Sequence, residues 1–189
     1  MIRIPHIRRG ISMRSLKRLG AFAVFAAAVP IVVLGASAAG AAGPNTSFAF
    51  NARDITGTSG AVTLTGGGAF SSSTHPAHSG GSFSCTSPVG GSGLLAGCQT
   101  GQGVRWDSDT LLTGTNFKCL ANEAPKPVST SDDTVVLHAD FYRAGDGINE
   151  SFQANMVVSA HDIDSTLGGV QNVWVQGVGC ATAAVHFSP

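Results

Sequence analysis

Thr134-Val135-Val136-Leu137-His138-Ala139-Asp140-Phe141-Tyr142-Arg143-Ala144-Gly145-Asp146-Gly147-Ile148-Asn149-Glu150-Ser151-Phe152-Gln153-Ala154-Asn155-Met156-Val157-Val158-Ser159 is the most informative stretch of this sequence. Asp146-Gly147 is a dipeptide that closes two-residue hairpins. Such a turn needs positive φ at both central residues, which Gly meets without strain and Asp tolerates better than most. A loop centred there pairs Arg143 with Glu150, Phe141 with Phe152, Ala139 with Ala154, Leu137 with Met156 and Val135 with Val158. That face is apolar and closes at the turn with opposite charges. The other face pairs Tyr142 with Ser151, Asp140 with Gln153, His138 with Asn155 and Val136 with Val157, and reads as mostly polar. A slip of one residue would scramble both faces. Turn chemistry and hydrophobic pattern therefore specify the same antiparallel hairpin, with Phe141 and Phe152 in the core.

The same grammar continues outward. Short runs of Val, Thr, Ser and Phe between turn residues predict strands at 47–51, 61–65, 81–85, 103–106, 116–120, 134–143, 150–159, 171–177 and 181–187. Residues 71–74, 90–93 and 123–133 read as loops, the last because of Pro125 and Pro127. No twelve-residue stretch carries helical periodicity. The expected fold is all-β, a single antiparallel barrel or sandwich of about eight or nine short strands.

Charge and hydropathy divide the chain. Six of the eleven Lys/Arg lie in the first eighteen residues, and all eleven Asp/Glu lie from Asp54 onward. An apolar run from Ala21 to Leu34 follows the basic stretch, and small residues follow that, with Ala36-Ser37-Ala38 and Ala39-Gly40-Ala41 both fitting a cleavage pattern. Residues 1–42 read as a signal peptide, with Met13 an alternative start, and 43–189 as one secreted β domain. The Arg8-Arg9 pair is a weak twin-arginine signal, and the general secretory route is the expected one. The domain carries five Lys/Arg against eleven Asp/Glu, a net of about −6. That balance argues against a nucleic-acid partner, which needs clustered cations. The absence of a second long apolar run argues against a membrane span after processing.

The four cysteines, Cys85, Cys98, Cys119 and Cys180, all lie in the domain. Their number is even and no close pair has metal-ligand spacing, so in a secreted chain they predict disulfides. Of three pairings we favour Cys85–Cys98, closing a Gly/Ser-rich loop, and Cys119–Cys180, tying mid-chain to the last strands.

Four stretches carry a resemblance: Asp132–Leu137 through Gly147, Phe50-Asn51-Ala52-Arg53-Asp54, Gly103-Val104-Arg105-Trp106-Asp107, and Gln171 through Cys180. Together they resemble a group of small secreted bacterial β-rich proteins without an assigned activity. The resemblance implies secretion and a compact single domain, and it brings no catalytic residue. Val62 through Phe70, with its three glycines, is similar to the Gly-rich turns of small up-and-down β-barrels.

Several residues are candidates for chemistry. His138 shares a strand face with Asp140 and Tyr142, and a nearby carboxylate can orient an imidazole for general-base work. The simpler reading is a solvent-facing strand surface. Asp162 and Asp164 have a D-x-D spacing suited to calcium, which takes loop carboxylates and carbonyls; no other cofactor is expected. Trp106 and Trp174 are candidates for lining a ligand pocket, though a tryptophan in a small β core is commoner. No G-x-S-x-G, H-E-x-x-H or P-loop motif occurs. The expected function is a non-catalytic binding module for a small apolar ligand, an envelope component or another protein. The alternative is an extracellular hydrolase or isomerase using a pocket histidine. The two differ in where His138, Asp140 and Tyr142 lie: a shared concave cavity favours the enzyme, a filled interior the binding module.

Overall fold

The computed structural model describes residues 45–73, 76–90, 95–143 and 152–189, all within one unit, 40–189. Eleven strands form among them: β1 (Thr46–Gly57), β2 (Ala61–Phe70), β3 (Pro76–Ser87), β4 (Arg105–Leu111), β5 (Gly114–Phe117), β6 (Lys126–Ser129), β7 (Thr134–Tyr142), β8 (Phe152–Ser159), β9 (Val173–Val175), β10 (Gly179–Ala181) and β11 (Ala183–Ser188). Apart from β5 and β6, each strand to β10 pairs antiparallel with the next. β10 then pairs with the end of β1, through Thr56↔Cys180 and Gly57↔Gly179. The sheet thus closes as an eight-stranded barrel. β11 continues past Thr182 and lies along the first half of β1, from Ser47↔Ser188 to Ala52↔Ala183, as an additional strand. Closure removes most of the unpaired edge that an open sheet exposes.

The register of β7 and β8 is the one the sequence specifies: Phe141↔Phe152, Ala139↔Ala154, Leu137↔Met156 and Val135↔Val158. The Asp146-Gly147 turn and the Arg143–Glu150 pair lie outside the described residues. Phe141 is fully buried, whereas Phe152, expected in the core, is half-buried against it. The Phe152 ring meets Phe141 at 6.2 Å and Phe83 at 6.1 Å, with the Arg143 guanidinium 5.6 Å over it.

Alternation fills the interior. One row crosses six strands: Phe50↔Gly66, Gly66↔Gly81, Gly81↔Trp106, Trp106↔Phe141 and Phe141↔Phe152. Gly66 clears the space that the Trp106 indole occupies, since a Cβ there would stand 2.6 Å from Trp106 Cζ2, and the ring reaches Phe50 at 5.9 Å between centroids. Its Nε1 donates to Thr65 O at 3.0 Å, which satisfies the one polar atom the row buries. Phe83 stands edge-on to Phe141 at 5.1 Å. Large and small residues alternating around a barrel of this size leave a packed core rather than a pore. Gly66-Gly67-Gly68, likened above to a barrel turn, therefore lies mid-strand in β2.

Three further expectations change. Residues 123–133, read as a loop, contain β6, which pairs only with β5 and places Pro127 opposite Asn116. A strand with a single partner tolerates the missing proline N–H. The run 171–177 and the run 181–187 resolve into β9, β10 and β11. The face of the β7–β8 hairpin read as mostly polar is buried at Val136 and Val157. These two pack with Phe117, Cys119, Trp174 and Cys180 in a second core on the outside of the barrel, beneath the β5–β6 hairpin. Both predicted disulfides form, Cys85–Cys98 and Cys119–Cys180. The first pins the loop before β4 to β3, and the second pins the end of the β5 segment to β10.

Candidate functional site

His138, Asp140 and Tyr142 alternate along β7 with the fully buried Leu137, Ala139 and Phe141, so they face away from the barrel interior. Each is half-buried, and each is engaged separately. His138 Nδ1 lies 2.8 Å from Asn155 Oδ1 across the strand pair. Asp140 accepts from Gln153 Nε2 at 2.9 Å. Tyr142 OH donates to Asp107 Oδ1 at 3.2 Å, with the Arg105 guanidinium 3.9 Å over its ring. Burial, and then the Asp107 carboxylate, push the Tyr142 phenol above its ordinary pKa. The carboxylate expected to orient His138 is thus bonded elsewhere.

A Ser, an Asp and a His do meet at Ser131, Asp133 and His161. Asp133 Oδ1 accepts from Ser131 Oγ at 2.5 Å, and Asp133 Oδ2 lies 2.7 Å from His161 Nε2. The carboxylate sits between the other two, whereas nucleophile activation needs the imidazole in that place. The Ser131 hydroxyl, and next His161, hold the Asp133 carboxyl below the usual carboxylate range.

Asp162 and Asp164 order the loop between β8 and β9. Asp162 Oδ1 accepts from the backbone N–H groups of Asp164 and Gln171, each at 3.0 Å. Asp164 is buried, with Oδ1 2.5 Å from Lys126 Nζ, and it also accepts from the Thr166 backbone N–H at 3.2 Å and hydroxyl at 2.6 Å. Burial pushes the Asp164 carboxyl up, but Lys126 and Thr166 together outweigh it and hold the group below the usual range. Carboxylate oxygens of Glu123 and Asp164 lie within 4.8 Å of each other and of Cys119 Sγ. Cys119 is spent in a disulfide, and the Lys126 ammonium already supplies the cation between the two acids.

Trp106 is core, as described. Trp174 is also buried, with Nε1 donating to Lys118 O at 3.0 Å, but part of its ring forms the floor of a cleft. This cleft, of about 470 Å³, opens between the β5–β6 hairpin and the barrel wall. Phe117, which meets Trp174 edge-on at 6.3 Å, shares the floor. Ala121 and Pro125 form the hairpin side, and Thr58, Ser59 and Gln176 the barrel side. Lys118 is the one charged residue among the described lining, and no carboxylate stands there. Its Nζ donates to Ala121 O at 3.0 Å, which among the described residues uses one of its three donors. His138, Asp140 and Tyr142 do not line this cleft.

Of the lining residues, sequence reasoning singled out Trp174 alone. Phe117 and Cys119 alternate with Asn116 and Lys118, which is a strand signal, but nothing local says that the inward set covers the outside of a barrel. No protein-family model, curated protein or solved structure matches the chain.

Proposed function

We propose that this protein is an exported, non-catalytic binding module whose ligand is a small molecule with an apolar body and an anionic head. The observation that carries this reading is the cleft outside the barrel: an aromatic and aliphatic floor, a single cation at the side and no acid among the described lining. Apolar concavities with one or two placed polar groups are the usual form of small-ligand sites. The cleft reaches down to the Trp174 indole, which is 3 % exposed and whose N–H is already satisfied. Lys118 offers a charge-assisted hydrogen bond that fixes orientation. The barrel interior, filled by the row from Phe50 to Phe152, has no such room.

Export is supported by the signal-like N-terminus and by two disulfides, which persist in oxidising compartments. Among the described residues no helix is long and apolar enough to cross a membrane. Protein recovered from culture medium should begin between Ala39 and Gly43.

Titration with 1-anilinonaphthalene-8-sulfonate, an anionic aromatic probe, tests the cleft. Saturable binding at one site per chain is expected, with energy transfer from tryptophan. Lys118→Glu should weaken it roughly tenfold, the worth of one charge-assisted hydrogen bond. Ala121→Trp should abolish it by filling the space. Binding that ignores both changes but disappears with His138→Ala would place the site on the barrel wall instead.

A further inference from the structure

Lys126, Asp164 and Glu123 stand in an arrangement that an ordinary surface ion pair does not need. The Asp164 carboxylate is wholly shielded from solvent, the Glu123 side chain is 15 % exposed and the Lys126 side chain 29 %. Nζ is 2.5 Å from Asp164 Oδ1 and 3.4 Å from Glu123 Oε2. Glu123 is itself held, since its Oε1 accepts from the Cys119 backbone N–H. Beside them Ile163, Leu167 and Val128 pack against the second core. Asp164 Oδ1 takes three hydrogen bonds, from Lys126, the Thr166 N–H and the Thr166 hydroxyl. Asp164 Oδ2 is buried and takes none among the described residues. A lysine against a buried carboxyl, two Thr166 donors on one oxygen, an unpartnered second oxygen and a nearby carboxylate are the groups that acyl transfer within a chain would use once a proton has passed from amine to acid.

We propose that Lys126 and Asp164 join in an isopeptide bond, with Glu123 relaying the protons. The pair begins as ammonium and carboxylate. One proton passes from Nζ through the Glu123 carboxylate to Oδ2, leaving a neutral amine and a neutral acid. The Nζ lone pair attacks Cγ, and the carbonyl electron pair moves onto Oδ1, where the two Thr166 donors hold it. A second proton moves from Nζ through Glu123 to the Oδ2 hydroxyl. The Cγ–Oδ2 bond breaks, one water leaves and Oδ1 regains its carbonyl. Glu123 ends as it began, and no oxidant or reductant takes part.

Two physical effects favour the bond. Fixed proximity replaces a bimolecular encounter by an effective concentration far above any in solution. The product also removes two charges from a poorly solvated place, where an ion pair is costly to keep. The barrier lies in the first proton transfer. Each partner stabilises the other's charged form: the hydrogen bond to Asp164 raises the Lys126 ammonium above its ordinary pKa, and Asp164 is lowered as described. A relay between the groups is what lowers such a barrier. The bond would fasten β6 to the loop before β9 and so fix the hairpin that walls the cleft, an instance of preorganisation.

The intact mass of the disulfide-bonded chain purified from culture medium tests this, read against its sequenced N-terminus. The expected mass is lower than that of the unlinked chain by one water. Digestion should yield a branched peptide whose fragments join Lys126 Nζ to Asp164 Cγ. Lys126→Arg, which keeps the cation but not the attacking amine, should show the unlinked mass. Glu123→Gln should keep both disulfides and its near-ultraviolet circular dichroism, yet also remain unlinked. A wild-type chain at the unlinked mass overturns the proposal. So does a water loss confined to Asp164 as a cyclic imide with Lys126 free. A Glu123→Gln chain linked as completely as wild type overturns the relay.

Discussion

A Cβ at Gly66 would sit 2.5 Å from the Gly80 carbonyl oxygen and 2.6 Å from Trp106 Cζ2. The glycine is there for space, because the indole crosses its backbone to reach Phe50. Gly66→Val should therefore displace Trp106 from Phe50 and from Thr65 O. The expected cost is about 1–3 kcal/mol of overpacking, read from denaturant melts, with a changed near-ultraviolet tryptophan signal. Tyr142 offers a second single-residue measurement, since it is the one tyrosine in the chain. Tyrosinate absorbance should titrate above the ordinary value of about 10. Asp107→Asn should bring the midpoint only part of the way back, because burial is the larger cause. The folded pKa is raised, so the unfolded chain gives up its proton first. The contribution of Tyr142 to stability is present below the unfolded pKa and is lost as pH rises through the folded one.

Among the elements, β7 shows most clearly what the sequence made legible. Its register with β8 followed from a turn dipeptide and a period-two pattern, both local signals. Its first half, Val135-Val136-Leu137, is a continuous apolar run buried on both faces, the usual mark of a strand covered on both sides. The reading of the outer face as polar gave that run too little weight. β6 was hidden because Pro125 and Pro127 announce a loop, and the strand signal around 116–120 does not say which segment pairs with it. The cleft was hidden for the same reason, since it exists only where that hairpin meets the barrel. Lys126 and Asp164 lie 38 residues apart, and no local rule brings them together. That the cysteines form disulfides was legible from their even number and the lack of metal-ligand spacing, and the favoured one of three pairings is the one that forms. The two bridges should differ in weight. Loop closure over 61 residues is worth about 4 kcal/mol and over 13 residues about 3 kcal/mol. Cys119 and Cys180 also belong to the second core. Replacing both by Ser should lower the unfolding free energy more than replacing Cys85 and Cys98, as measured by denaturant melts. The reverse order would mean that the hairpin is a minor contributor to the fold.

At the scale of the molecule, the barrel is a scaffold and the hairpin outside it walls the cleft proposed as the ligand site. Among the described residues the barrel interior is filled by buried side chains, and the cleft lies where an inserted element covers part of the wall. The proposed ligand sits there and not within the barrel. Amide and indole chemical-shift mapping of the disulfide-bonded protein with 1-anilinonaphthalene-8-sulfonate tests this most directly, because the two tryptophans of the chain report the two places. The expected result is movement of the Trp174 indole and of the Phe117, Lys118, Ala121 and Gln176 amides, with the Trp106 indole unmoved. Movement of the Trp106 indole, or of the His138 to Tyr142 amides alone, would contradict it.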